Sequence, residues 1–198
     1  MKNKKVRVLT GTAMLTAVGV VLQYLEISIP IIPSFIKLDF SDLPQLIGAF
    51  AYGPVAGVLI CLVRNLIHMA VSQSGFVGEL SNFLLGATFA LVAGLIYKHK
   101  KTKKNAFIAG ICGAVAMAVV CLPINYFIIY PLYYNVIGLP EAAVLDMYKV
   151  VYPGTNSILQ GLLIFNVPFT FVKALISVVL SMIIYKPISP LLKGKENS

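Results

Sequence analysis

The sequence predicts an all-α integral membrane protein, a bundle of six transmembrane helices forming a single membrane domain over residues 1–198. Three observations predict it. Apolar residues make up 59% of the chain and charged ones 12%, a balance that one soluble domain of 198 residues cannot hide in its core. Five apolar stretches approach the roughly 20 residues a helix needs to cross the hydrocarbon, and a sixth, shorter one lies between the first two. Lys and Arg gather in three clusters that an even number of crossings puts on one side.

The first span is expected near residues 8–29, directly after the basic segment Met1 to Arg7. It has the look of a signal peptide, yet the stretch is long and the segments after it are equally apolar, so an uncut first helix is expected. A short charged loop follows, Leu38-Asp39-Phe40-Ser41-Asp42-Leu43-Pro44. Two carboxylates, a hydroxyl and an aromatic ring held against apolar helices have the chemistry of a lid over a small-molecule pocket. The sixth stretch, Leu43 to Tyr52, has about ten residues. It is too short to cross alone and must be tilted, extended through its flanks or sheltered by neighbours. The Gly53-Pro54 turn opens the span over 53–71, and further spans are expected at 80–97, 106–130 and 159–185. Connections are short except from Pro131 to Asn156, where Glu141 to Tyr148 reads as a brief amphipathic helix ended near Pro153-Gly154. That segment either caps a pocket or forms a tyrosine-rich belt at headgroup depth.

The basic clusters are Lys2 to Arg7, Lys98 to Lys104 and the lysines after Tyr185; six crossings place all three in the cytoplasm, with both termini. Six of the seven acids (Glu26, Asp39, Asp42, Glu79, Glu141 and Asp146) then lie at or near the outer face. The net charge of +9 is therefore topology and implies no nucleic acid. Cys61, Cys112 and Cys121 all sit in apolar runs and read as small hydrophobes, with no metal site. No catalytic residues are expected. The two histidines, His68 and His99, belong to no His-Glu-x-x-His motif, and Gly-x-Ser-x-Gly is absent, which argues against a membrane hydrolase. No Gly-x-x-x-x-Gly-Lys-Ser/Thr loop occurs, so nothing in the chain cradles ATP. Six unequal segments without internal symmetry argue against a stand-alone secondary transporter.

Charges inside the bilayer carry more chemistry, since a Lys or Arg at mid-helix costs roughly 2.5 to 3.5 kcal/mol on insertion scales. Arg64 is expected to be structural, pairing with an acid of the first outer loop. Lys173 shares a helix face with Thr170 and Asn166, and an ammonium, a hydroxyl and an amide on one stripe read a planar polar edge. Asn82 and Asn125 either tie helices together or touch a ligand. The outer half holds Lys37, Arg64, Lys149 and Lys173 against six carboxylates. That balance repels a phosphorylated ligand and suits an uncharged ring system with a uracil-like edge and a hydroxylated tail. Small residues recur at spacing four in Ala13/Ala17, Gly53/Gly57 and Gly86/Ala90/Gly94, faces that let helices approach closely.

The outer loop Leu38 to Pro44 with Gly53-Pro54-Val55-Ala56-Gly57 resembles the first outer loop and following helix of the riboflavin-specific S components of energy-coupling factor (ECF) transporters. Asn82-Phe83, Asn125-Tyr126-Phe127 and Pro168-Phe169-Thr170-Phe171-Val172-Lys173 are similar to further family positions, in the same order. The last departs from the family pattern, having Thr170 where an amide is expected; Asn166, one turn away, is a candidate to supply it. The resemblance implies a bacterial cell-membrane subunit that takes riboflavin as transported ligand, with no cofactor. Its implied binding residues are Leu38, Asp39, Phe40, Asn82, Asn125, Asn166, Thr170 and Lys173. It implies docking through Ala13 and Ala17 onto the coupling helices of a T subunit, with two cytoplasmic ATPases supplying energy. Toppling of the subunit within the bilayer is part of what the resemblance implies. A different neutral vitamin remains the alternative that composition leaves open.

Overall fold

The computed structural model describes residues 2–72 and 74–193, and the side chains of residues 5–72 and 74–185. The side chains of Lys2, Lys4, Lys186, Lys193, Lys195 and Glu196, which carry part of the charge argument, lie outside that set. Among the described residues five helices are long and apolar enough to cross a membrane: Lys5–Tyr24, Pro54–Val71, Val77–His99, Lys103–Ile137 and Ile158–Tyr185.

The first helix, α1 (Lys2–Tyr24), ends five residues before the boundary expected at 29. Instead the chain turns into a two-stranded antiparallel hairpin, β1 (Ile27–Ser28) and β2 (Lys37–Leu38), with Ser28 opposite Lys37. Glu26 and Lys37 pair across its base at 3.1 Å, and Pro30 and Pro33 between the strands forbid continued helix. The short sixth element is α2 (Asp42–Tyr52), whose residues 42 to 50 are all buried. Eleven residues rise about 16 Å, far less than the bilayer core, so the helix survives at membrane depth because its neighbours enclose it.

Gly53, at φ 105°, turns the chain from α2 into α3 (Pro54–His68), with Pro54 at the first helical position. A residue with a side chain is strained at that φ, and proline there has no N–H to leave unpaired. Helix α4 (Val77–His99) packs its Gly86/Ala90/Gly94 face inward. A Cβ on Gly94 would meet Pro54 Cα at 2.8 Å, and one on Gly57 would meet Gln45 O at 2.8 Å and Ala90 Cβ at 3.0 Å. Two of the three small-residue faces are thus spent inside the bundle. Ala13 and Ala17 are exposed on α1.

Thr102 caps α5 (Lys103–Ile124), its hydroxyl accepting from Asn105 N at 3.2 Å. The helix does not stop at 130 as expected. It runs on through a π turn at Asn125–Ile129, the short α6 (Tyr130–Leu132) and a second π turn at Tyr133–Ile137, ending at Gly138 with φ 75°. Wider π turns relieve the i→i−4 ladder where Pro123 and Pro131 interrupt it. The outer connection is correspondingly shorter than the sequence suggests, and most of it is α7 (Glu141–Val151), the expected amphipathic helix. After α8 (Ile158–Gly161), capped by Ser157, a third π turn at Leu162–Asn166 leads into α9 (Val167–Lys193).

The main core joins α2, α4, α5 and α9 through Leu46, Phe50, Phe89, Ala109 and Val178. A second cluster, Leu15, Leu43, Ile47 and Ile60, seats α1 and α3 against α2. A third, Tyr130, Val144, Tyr148, Ile158 and Leu162, fastens α7 over one end of the bundle.

Candidate functional site

A cavity of about 360 Å³ opens at the end of the bundle opposite the 98–104 turn. The hairpin, the end of α3, the start of α4, the π turn after α5 and the start of α9 all contribute to its wall. The clustering follows from connectivity, because every one of these segments flanks a connection on the same side of the bundle.

Asp39 and Lys173 of its wall belong to a set of four buried charges. Lys173 Nζ donates to Asp39 Oδ2 at 2.8 Å and lies 3.7 Å from Asp42 Oδ2, while Arg64 Nη2 reaches Asp42 Oδ1 at 3.5 Å. Two acids balance two cations, which is what makes their burial tolerable. Asp39 is further held by the Ser41 backbone N–H at 2.8 Å and by the Ser41 hydroxyl. Burial works to raise the Asp39 carboxyl, but the Lys173 ammonium, the Arg64 guanidinium and these hydrogen bonds outweigh it and hold it below the ordinary carboxylate value. Arg64 thus takes the structural part expected of it, with Asp42 as the acid.

Six of the residues singled out by sequence, Asp39, Asn82, Asn125, Asn166, Thr170 and Lys173, line the cavity. Leu38 and Phe40 flank Asp39 on the loop and are not among the lining residues. Asn125 also ties helices: its Nδ2 donates to Cys121 O at 2.8 Å and its Oδ1 accepts from the Ser81 hydroxyl at 3.4 Å. Asn166 Oδ1 accepts from the Tyr148 hydroxyl at 2.6 Å, and Thr170 Oγ1 sits 3.4 Å from Cys121 Sγ. Phe35, Tyr130, Tyr133 and Phe169 add aromatic surface.

Beyond Asn82 on α4, the wall also carries His68 of α3 and Glu79 of α4, which the sequence reading did not single out as binding residues. Glu79 lines the cavity, pairs with His68 Nδ1 at 2.9 Å and accepts from the Ser72 and Ser74 hydroxyls at 2.7 and 3.1 Å. A glutamate in the first turn of an apolar helix is the signal that could have found it, since that position favours a carboxylate electrostatically. Among the described residues no cluster of three or more His, Cys, Asp or Glu could hold a metal ion.

A helical bundle with an aromatic-walled cavity that opens at its loop end defines a class, a membrane protein that holds a small molecule. Comparison with known proteins makes the class particular. The family described as "ECF transporter, substrate-specific component" matches residues 7–185, and the chain belongs to it. It is similar to the riboflavin transporter RibU of Staphylococcus aureus (strain TCH60), 33% identical over 192 residues covering 97% of this chain and 94% of that one. The riboflavin transporter FmnP of Bacillus subtilis (strain 168) is 26% identical, with 98% of each chain covered. A solved structure described as "Structure and mechanism of the S component of a bacterial ECF transporter" shares the fold at a TM-score of 0.74 and 32% identity, covering 98% of this chain and 99% of that one. The family is a transporter component, not an enzyme, and its members are multi-pass proteins of the cell membrane.

Proposed function

We propose that this chain, acting as one membrane domain, captures riboflavin on the outside of the cell and delivers it inward as the S component of an ECF transporter. The observation that carries the reading is the donor set Asn125, Asn166, Thr170 and Lys173 on one side of a cavity that also offers aromatic faces. The pyrimidine edge of an isoalloxazine alternates carbonyl acceptors with an N–H, and amides with an ammonium complement it, while the flat rings suit Phe35 and Phe169. The ribityl tail brings hydroxyl donors, for which the carboxylates of Glu26, Asp39 and Glu79 are acceptors. The relatives named as riboflavin transporters support the same ligand.

Nothing in the sequence cradles a nucleotide phosphate, so energy comes from a T subunit and two cytoplasmic ATPases, with the exposed Ala13/Ala17 face of α1 as the docking surface. In this reading both termini and the 98–104 turn are cytoplasmic, the cavity faces out, and inward delivery proceeds by toppling of the subunit in the bilayer.

Titration calorimetry of the purified chain in detergent tests the ligand. Tight one-to-one riboflavin binding is expected, with quenching of flavin fluorescence by stacking, and weaker binding of flavin mononucleotide, whose phosphate meets the three carboxylates. A chain indifferent to riboflavin ends the proposal. Reconstituted alone, the protein should bind without accumulating vitamin; accumulation without partners would make it a secondary transporter.

A further inference from the structure

Tyr148, on α7, is not a residue of the cavity wall, yet it contacts three that are, Phe35, Tyr130 and Asn166. Its ring is fully buried, set edge-on to Phe35 of the hairpin loop at 5.4 Å and stacked on Phe165 at 5.7 Å. Gly161 makes the seat, since a Cβ there would meet the Tyr148 ring at 2.8 Å. The hydroxyl ends in a closed ring of three groups. Tyr130 O–H meets the Tyr148 oxygen, Tyr148 O–H donates to Asn166 Oδ1 at 2.6 Å, and Asn166 Nδ2 donates to the Tyr130 oxygen at 3.5 Å.

We propose that Tyr148 is a specificity-determining positioning residue, which holds the Asn166 amide so that it offers the cavity an N–H, and thereby selects a ligand carbonyl at that point. The proposal rests on the riboflavin reading above. The hydrogen-bond inventory carries it: an amide has one carbonyl oxygen and two N–H groups. The ring of three engages Oδ1 and one N–H, so a second N–H is the donor Asn166 has left for the cavity it lines. Amide orientation follows from the distances. A 2.6 Å contact fits O–H···O, whereas N–H···O bonds centre near 2.9–3.0 Å, so the flipped amide would crowd its nitrogen against the phenol. Burial, with the Tyr130 phenol beside it, pushes the Tyr148 hydroxyl well above its ordinary value and keeps it a donor. Through Phe35 and α7 the same side chain makes the aim of the amide depend on both outer segments being in place.

The test is a double-substitution cycle on the full chain, read by riboflavin fluorescence quenching. Tyr148→Phe retains the ring and removes only the hydroxyl; it should weaken riboflavin about tenfold, the usual scale for one well-placed hydrogen bond. In the Asn166→Ala background the same change should have an effect of about twofold or less, because the group it aims is gone. Thiocarbonyl riboflavins, poorer acceptors at positions 2 and 4, supply a second readout. One of them should bind the wild type markedly more weakly than riboflavin, and Tyr148→Phe should shrink that preference. An unchanged affinity in Tyr148→Phe overturns the proposal. So does an undiminished loss in the Asn166→Ala background, which would mean that the hydroxyl only supports packing. Wild-type protein that ignores riboflavin would instead defeat the ligand assignment itself, before any variant is made.

Discussion

Asp39 and Lys173 are 134 residues apart in the chain and 2.8 Å apart in the fold. The pair gives Lys173 two tasks, balancing buried acids and presenting an ammonium to the cavity, and substitutions separate them. Lys173→Met leaves Asp39 and Asp42 facing Arg64 alone, and breaking a buried pair in this way costs about 3–5 kcal/mol. A large drop in melting temperature is expected. Adding Asp39→Asn removes the stranded charge and should recover much of the melting temperature, while riboflavin affinity stays low because the ammonium is still missing. Recovery of both would assign Lys173 to stability alone. The pH dependence belongs to the same pair. Because the folded Asp39 carboxyl lies below the ordinary aspartate value, its contribution is complete above about pH 4 and is lost as the pH falls through the lower folded value. The melting temperature should be insensitive to this group from pH 7 to 5 and decline below about pH 4, and Asp39→Asn should flatten part of that acid limb.

The helices meet through small residues whose space is already taken. At Gly57 a side chain would collide with Ala49 Cβ at 2.7 Å and with the Gln45 carbonyl at 2.8 Å, and backbone does not yield as a flexible side chain does. Gly57→Leu should therefore destabilise by about 1–3 kcal/mol or more, seen as aggregation on size exclusion in detergent or a lowered melt. The same leucine at Ala13, which is exposed, should leave the melt unchanged. Two of the site's amides, Asn125 and Asn166, begin or end π turns. Such turns frequently mark functional positions, where a register shift re-aims a side chain that a regular α-helix would point elsewhere.

Across the whole molecule, the proposed ligand cavity and the proposed docking face lie on separate surfaces. The cavity sits at one end with most of the acids, and the 98–104 lysines sit at the other. Ala13 and Ala17 lie on neither core nor cavity, so their role is open to a clean separation. Ala13→Trp or Ala17→Trp should abolish co-purification with the T subunit and vitamin uptake by the reconstituted transporter, with riboflavin affinity of the isolated chain unchanged. Retained assembly would place the docking face elsewhere.

What was legible in the sequence was local or summed over short windows. Spans of about 20 apolar residues announce themselves, and Gly53-Pro54 marks a helix start by backbone chemistry alone. Lys173 stood out because a charge at mid-helix is costly, whereas Asp39, Asn82, Asn125, Asn166 and Thr170 were put beside it as binding residues by the family resemblance; the fold draws all six to one cavity. The first helix was read too long because Ile27 and Ile29 carry the apolar run past Glu26, and only the Glu26–Lys37 hairpin shows the chain turning back. The fifth was read too short, since Pro131 looks like a terminus until π turns absorb it. The pairings of Lys173 with Asp39, His68 with Glu79 and Tyr148 with Asn166 were decided by the tertiary structure, because they join different elements. Hydropathy specifies which segments enter the membrane, whereas the partners of a buried charge depend on which helices pack side by side, and that is settled by the shapes of faces such as Gly57 on Ala90.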